Sequence, residues 1–522
     1  MRASRVLTGA APGAGGGPRV TGADGRGPAG RGAARVPRGP AAVAAAFAFA
    51  QLVLVVPGLG LGWDETVYVS QVGTRAPAAF FSAPRARGIT FLAAPVAGLT
   101  DSVAALRVHL ALLSGCGLFV ALWVWRRLLP APVPAVAGAL FASLWVTLFY
   151  GPQAMPNLWV AYGGLVAVGC FLRAVRDRGD RWALPGLGAG VALAALMRPA
   201  DAVWLALPLA AAVPLARPVR RRGPPVVAAL AAGLAAGCAP WVVEAYARYG
   251  GPVARLRRAG EIQGGLGWYF SADDHVRALG GRTLCRPCDV PWHHPVSAGW
   301  FLALPLLVAG GVWLAARTRH RAPVALAAVA GAASAVPYLF TVGYAAPRFL
   351  LPCYALLALP VAYALVRVVR GCRDRPSGWR RGTVALLAVA VAGHLAVQYR
   401  VLESVADRVR RDTVDLGRVA AALRAQGVRP PCVVSGEDAI RVAYRAGCAS
   451  RQPSGHDGSI TPGALTATGL RRPVAVLVSD LGGVPAYARR WRVRPLPDLG
   501  HRTGLRAHLS PAAVPSGPAG PR

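Results

Sequence analysis

Apolar residues gather into long, evenly spaced runs, and this spacing constrains the chain more than any single motif. Runs at 41–61, 101–125, 132–149, 157–172, 183–198, 201–216, 225–243, 298–316, 323–343, 349–367 and 383–399 are rich in Ala, Val and Leu and poor in charge. About 20 apolar residues cross a bilayer as a helix, so the pattern predicts an α-helical polytopic membrane protein with about eleven spans. Composition agrees, with 54% of 522 residues hydrophobic and only 15% charged. A simple soluble enzyme is excluded, and an odd number of spans puts the termini on opposite sides of the membrane.

Charge sets the orientation. The net charge is +36, and every basic residue is Arg. Arg126 and Arg127, the stretches Arg173 to Arg181, Arg217 to Arg222, Arg317 to Arg321 and Arg367 to Arg381, and the N-terminal tail fall on one side, whereas most acids fall on the other. Positive loops stay inside, so we expect a plasma-membrane protein with its N-terminus cytoplasmic and its C-terminus extracytoplasmic. The charge is scattered over short loops with no basic binding face, which excludes nucleic acid as a partner. Residues 1–40, rich in Gly, Ala, Pro and Arg, read as a disordered cytoplasmic tail, and 511–522 as a second one. The apolar run from Ala41 is too long for a signal peptide and is expected to be retained. A membrane domain over 41–400 carries outer loops at 62–100 and 244–297. Residues 401–510 alternate helical stretches (405–426, 438–446) with strand-like runs (432–435, 474–479), which predicts a small extracytoplasmic α/β domain.

Four cysteines, Cys285, Cys288, Cys432 and Cys448, fall outside in this topology, an even number that suggests disulfides. Cys285 and Cys288 form a C-x-x-C, with His293 and His294 close behind. A redox or zinc site is the alternative, but no second Cys pair or proper ligand spacing accompanies it.

The stretch Gly62-Trp63-Asp64-Glu65-Thr66-Val67-Tyr68 lies just beyond the first span. It puts two adjacent carboxylates at the outer boundary, at the head of an apolar pattern (Val67, Val69, Val72) suited to a helix lying on the surface. The pair is a candidate base; a solvated span end is the plainer reading. Arg107 and His109 lie within the second run, where ionisable groups are costly and often functional, unless they reach the interface.

Here the chain resembles a family. A first span, Asp64-Glu65 with Tyr68 three residues on, a Pro-bearing loop and a second long span holding Arg107 are similar to the GT-C membrane glycosyltransferases. The likeness is to the protein-mannosyltransferase and aminoarabinose-transferase type, glycosyltransferase family 39. Gly190-Val-Ala-Leu-Ala-Ala-Leu-Met-Arg198-Pro199 is similar to the family's fifth-span motif, and Tyr344-Ala-Ala-Pro347-Arg348-Phe349-Leu-Leu-Pro352 to its late Arg-aromatic-x-x-Pro motif. The order of parts covers roughly 41 to 400. One departure is visible: Arg87-Gly88-Ile89-Thr90 stands where the family has Pro-Pro.

The resemblance implies inverting sugar transfer from a polyprenyl-phosphate donor to a glycan, lipid or protein acceptor on the outer face. Such a reaction needs one carboxylate to take the acceptor's proton, for which Asp64 is the candidate with Glu65 as helper or orienter. It also needs cations to meet the leaving lipid phosphate: Arg348 first, then Arg198, whose alternative role is a local pair with Asp201. Tyr68, Arg107 and Tyr344 are further contact candidates. No cofactor is required, since a lipid phosphate leaves without a metal in principle; a divalent metal stays an alternative, with no metal ligands assigned. Asp273, Asp274 and His275 look superficially like a metal cluster but read better as a solvated loop. Trp268, Tyr269 and Phe270 suit either a lid over a sugar or an interfacial aromatic belt. His394, in the last run, reads as packed. The glycines Gly186, Gly188 and Gly190 read as small-residue packing within a span, because no strand precedes them. The competing class is a non-catalytic transporter or envelope-assembly scaffold, or an inactive family member. A transporter would be expected to show internal repeats, and we find none.

Overall fold

The computed structural model describes residues 38–514, except 216, 221, 222, 266, 293, 373, 374 and 501. Most of the two predicted tails, and His293, lie outside the described residues; the described part of the N-terminal tail, from Arg38, is already helical.

Among the described residues eight helices are long and apolar enough to cross a membrane: Arg38–Val55, Val103–Trp125, Asn157–Arg176, Gly223–Tyr249, Pro295–Ala315, Arg321–Phe340, Pro347–Gly371 and Ser377–Ala425. The other three predicted spans hold shorter helices, Pro132–Ala142, Ala183–Met197 and Pro199–Leu215, and the run 132–149 breaks after the first of these into a second short helix, Trp145–Tyr150. At 1.5 Å per residue even the longest of these covers only about 25 Å, against roughly 30 Å of hydrocarbon. Ala183–Met197 and Pro199–Leu215 are separated by a single residue. Arg198 is extended (φ −154°, ψ 97°), because Pro199 forbids the helical conformation before it, so the chain reverses there.

Asn157–Arg176 and Pro347–Gly371 are the most enclosed spans, while Pro295–Ala315 and Ser377–Ala425 stand outermost. Exposed Leu302, Leu306, Trp313, Leu386 and Val389 on the outer pair form the surface that lipid covers. Small residues set a close crossing. A Cβ on Gly163 would stand 2.6 Å from the Gly190 carbonyl, and one on Gly190 2.7 Å from that of Gly163, so neither position admits a side chain. Of the glycines read as span packing, Gly190 sits at this crossing, whereas a Cβ on Gly186 would meet Cys170 Sγ at 2.6 Å and one on Gly188 would only touch the Ala229 carbonyl at 3.4 Å.

The final span does not stop near 400. It continues as one 49-residue helix, Ser377–Ala425, because no Pro interrupts it and its glycines, Gly393 and Gly417 among them, stay helical. The boundary drawn at 401 therefore falls in mid-helix, and the end of this helix (Leu416, Val419, Leu423) packs beneath the C-terminal sheet. That sheet has five strands: β1 (Val433–Gly436), β2 (Ala449–Ser450), β3 (Val474–Val478), β4 (Arg492–Pro495) and β5 (Arg506–Leu509). Their order is β2-β1-β3-β5-β4, parallel on the β1 side and antiparallel from β3 onward. β3 is buried on both faces. Ala475 and Leu477 meet the long helix's side, and Val474, Val476 and Val478 meet Leu465 and Ala488 on the other, which explains its unbroken apolar run. The edge strand β4 carries Arg492, Arg494 and Pro495, which discourage further pairing. The helix Ala439–Ala446 docks Ile440 and Tyr444 into the core of the membrane domain.

Candidate active site

The helix Trp63–Ser70 follows the first span directly. It does not lie on a surface as its pattern suggests: Glu65, Thr66, Val67, Tyr68, Val69 and Ser70 are all buried. Helix Gly88–Ala97 and the tail-domain helix Ala439–Ala446 pack against it, covering both of its faces.

Its two carboxylates part company. Glu65 turns inward, where Arg107 Nη2 meets Oε2 at 2.7 Å and Arg107 Nη1 meets Oε1. The amides of Ala154 and Gly62 donate to the same carboxylate at 2.7 and 2.9 Å. Arg107 is fully buried and also donates to the carbonyls of Gly60 and Pro152. Arg107 thus sits in the second span's first turns and ties three segments together around Glu65.

Asp64 turns outward and stays about a third exposed (32%). Arg85 Nη1 lies 2.9 Å from Oδ1 and Arg348 Nη2 lies 3.0 Å from Oδ2. Burial would raise the Asp64 carboxyl, but Arg85 and Arg348, with Arg198 behind them, outweigh it and hold it below the ordinary carboxylate value. The carboxylate is therefore ionised and fixed at the head of a helix, where the backbone dipole also favours negative charge.

Each arginine is aimed by its surroundings. Arg85 donates to Ser82 at 3.1 Å and stacks near Trp63 and Tyr68, its guanidinium carbon 5.2 and 5.4 Å from the ring centres. Its backbone carbonyl accepts from buried Arg255, which also bonds the carbonyls of Ala83 and Trp241 and the carboxylate of Glu244. Arg87 grips the other oxygen of Glu244 at 2.6 Å, and a Cβ on Gly88 would stand 2.6 Å from the Leu196 carbonyl. The Arg87-Gly88 departure is thus accommodated: the pair anchors this loop to helix Gly223–Tyr249 and to the end of Ala183–Met197. Arg348 donates to the Thr283 carbonyl at 2.9 Å and to the Tyr150 hydroxyl at 3.4 Å. Arg198 pairs with Asp201 at 3.0 Å and lies over the rings of Tyr338 and Phe349. Both roles weighed for Arg198 are compatible with this placement, because its charge still reaches Asp64.

Of the contact candidates, Tyr68 faces the site beside Arg85, and Tyr344 stacks under Arg286 with its ring 5.8 Å from Phe349. Arg107 is fully buried against Glu65. Both outer cysteine pairs are disulfides. Cys285–Cys288 is joined to the Arg348 segment by two backbone bonds between Cys285 and Ala345, so it braces the site wall. Cys432–Cys448 ties the start of β1 to the residue just past helix Ala439–Ala446. Asp273 is bound to Arg277 and Trp292, and His275 is buried. Among the described residues no three His, Cys, Asp or Glu side chains gather as metal ligands. Trp268 and Phe270 project outward, exposed; Tyr269 covers Gly343. His394 packs against Trp300.

No family model matches the chain, and no curated protein matches it in sequence. Solved structures do. The ArnT of Cupriavidus metallidurans bound to undecaprenyl phosphate superposes with a TM-score of 0.62 at 14% identity, covering 91% of this chain and 98% of that one. The oligosaccharyltransferase of Archaeoglobus fulgidus tethered to an acceptor peptide gives a TM-score of 0.52 at 13% identity over 84% of this chain and 68% of that one. Both are GT-C membrane glycosyltransferases.

The chain has the GT-C fold.

Within this fold, sequence reasoning brought Asp64, Arg348 and Arg198 together but missed Arg85. The signal was present in a second basic residue within the Pro-bearing loop, but nothing distinguished it from Arg75 or Arg87. It also missed the brace of Glu244 and Arg255, whose partners lie 157 and 170 residues away, and a tail-domain acid, Asp457, that shares the field of Asp64.

Proposed function

We propose that this protein transfers a sugar from a polyprenyl-phosphate donor to an acceptor on the extracytoplasmic face, with inversion at the anomeric carbon. The observation that carries the reading is the outward-facing carboxylate of Asp64, clamped by Arg85 and Arg348 with Arg198 in reach, at the outer end of the spans of a GT-C fold. The undecaprenyl phosphate bound by the ArnT structure makes a lipid-phosphate donor the natural ligand of these arginines.

The acceptor oxygen attacks the anomeric carbon from the face opposite the phosphate. The carbon–oxygen bond to the phosphate breaks, its electron pair leaves on the lipid phosphate, and the acceptor's proton passes to Asp64. Two arginines beside a leaving phosphate stabilise the charge that develops there. Asp64 is a weak base, yet a weak one suffices when the proton leaves late, after the forming bond has made the hydroxyl acidic. Glu65 acts as orienter by locking the helix that presents Asp64. The charge pattern of the loops supports a cytoplasmic N-terminus, with the site and tail domain outside.

The test is turnover of radiolabelled polyprenyl-phosphate sugars by purified, lipid-reconstituted protein, with membrane extract as acceptor. Transfer by wild type that is lost in folded Asp64→Asn is expected. No turnover with any such donor by folded protein overturns the reading in favour of a non-catalytic role.

A further inference from the structure

The transfer reading uses the outer loops and leaves the tail domain idle, yet one tail-domain loop reaches the same site. It runs from β2 to the helix Pro462–Arg471. Its neck is closed: the amide of Gln452 donates to Ser459 Oγ at 3.2 Å, and the amide of Ser459 to the Gln452 carbonyl at 2.8 Å. The Gln452 side chain grips both backbone groups of Gly436 at the end of β1, at 2.7 and 3.1 Å. Gly455 turns the tip at a φ of +81° that few side chains adopt, and the Gly458 amide closes back on its carbonyl at 3.2 Å. Arg451 anchors the base to the Ala78 carbonyl of the first outer loop. A loop pinned in this way holds its tip in place.

The tip residues are His456 and Asp457. His456 feels the charges of Arg286 and Arg258 from the second outer loop. Asp457 feels Arg85 and Asp64 from the first, so the tip lies within charge range of both loops. Asp457 is only 8% exposed, and its Oδ1 is buried without a hydrogen-bond partner. Among the described residues no basic side chain comes close enough to pair with it. Arg85, the cation it feels, is taken by Asp64. A carboxylate buried without a partner is costly, and a polar ligand that donates to it would relieve the cost.

Resting on the transfer reading, we propose that Asp457 binds the acceptor, accepting a hydrogen bond from it so that the attacking hydroxyl is held beside Asp64. The donor's anionic phosphate must enter from the bilayer toward the arginines, and a carboxylate repels it. The acceptor meets the site from the side the tail domain covers. Two acids there, Asp64 and Asp457, select an acceptor rich in hydroxyl or ammonium donors near the attacking oxygen, and disfavour one that is anionic at that point.

The experiment measures transfer from a radiolabelled polyprenyl-phosphate sugar at varied membrane-extract concentration, alongside direct binding of undecaprenyl phosphate, in wild type, Asp457→Asn and Asp457→Glu. The half-saturating extract concentration is expected to rise at least about tenfold in Asp457→Asn and to recover partly in Asp457→Glu, with undecaprenyl phosphate binding within about twofold of wild type. Burial and the Asp64 charge raise the Asp457 carboxyl to about 6 despite Arg85. Wild-type acceptor saturation should accordingly weaken as pH falls through 6, and that of Asp457→Asn should not. Unchanged acceptor saturation in Asp457→Asn overturns the inference, as does weakened undecaprenyl phosphate binding, which would put Asp457 on the donor side. If wild type transfers nothing, the transfer reading fails first and takes this inference with it.

Discussion

Asp64 and Glu65 are adjacent in the chain and opposite in every physical respect that matters. Glu65 is buried, paired with a buried arginine and supplied with two backbone amides. Asp64 is partly exposed and held by two arginines, of which Arg85 also donates to Ser82 and Arg348 to the Thr283 carbonyl. The difference teaches that the inward pair is architecture, whereas the outward one is a surface on which charge can be rearranged by a ligand. The sharpest way to break this contrast is Arg107→Leu. It strands a buried carboxylate among amides and removes the ties to Gly60 and Pro152, at a cost of about 3–5 kcal/mol. We expect a large fall in melting temperature and yield of the detergent-solubilised protein. If Arg107→Leu melts like wild type, the pair is not the structural lock we describe.

Asp64→Asn should behave in the opposite way. Transfer is expected to fall by about 10²–10³-fold, equivalent to roughly 3–4 kcal/mol of barrier. Its melting temperature should drop far less than that of Arg107→Leu, because Arg85 keeps Ser82 and Arg348 keeps Thr283. Arg348→Lys sharpens the point. A lysine retains the charge but cannot serve Asp64, Thr283 and a phosphate together, so about a tenfold loss is expected, smaller than that of Asp64→Asn. If the lysine variant is fully active, two-point recognition by Arg348 is not part of the chemistry.

The contrast also explains what was legible in the sequence. The order of the helices follows from hydropathy because a bilayer imposes one secondary structure on every crossing; among the described residues eight of the eleven runs, such as 157–172, fall in helices long enough to cross, two form shorter helices, and 132–149 breaks into Pro132–Ala142 and Trp145–Tyr150. The same rule hid the end of the last one: 383–399 reads as a complete span, and nothing in hydropathy says that a helix continues into water as far as Ala425. Within the site, Asp64 and Arg348 were legible because each sits in a local motif next to a span end. That Asp64 faces out and Glu65 in was not, since this depends on which neighbour helices cover the two faces. Arg85, Arg255 and Asp457 were invisible for the same reason, for their roles arise only when separate loops meet. In the tail domain the apolar β3 stood out, whereas β4, β5 and the two-residue β2 carry Arg, His or too few residues to show a period.

An effect of opposite sign concerns the stability of Asp457→Asn. The folded value of about 6 lies above the ordinary 3.8, so the folded state holds this proton more tightly than the unfolded chain does. Ionising Asp457 therefore costs stability, beginning as pH rises past 3.8 and complete above 6. An Asn at this position never pays that cost, and the variant should melt above wild type at pH 7.5 by at most about 3 kcal/mol, the gain vanishing as pH approaches 4. Such a gain separates two kinds of carboxylate. Glu65 and Arg107 stabilise the fold, and removing either is a loss. A side chain whose removal steadies the protein yet weakens acceptor use is one retained for binding. If Asp457→Asn is instead less stable than wild type at pH 7.5, Asp457 belongs with Glu65 as architecture, and the tail-domain loop is a brace against the outer loops with no part in selecting the acceptor.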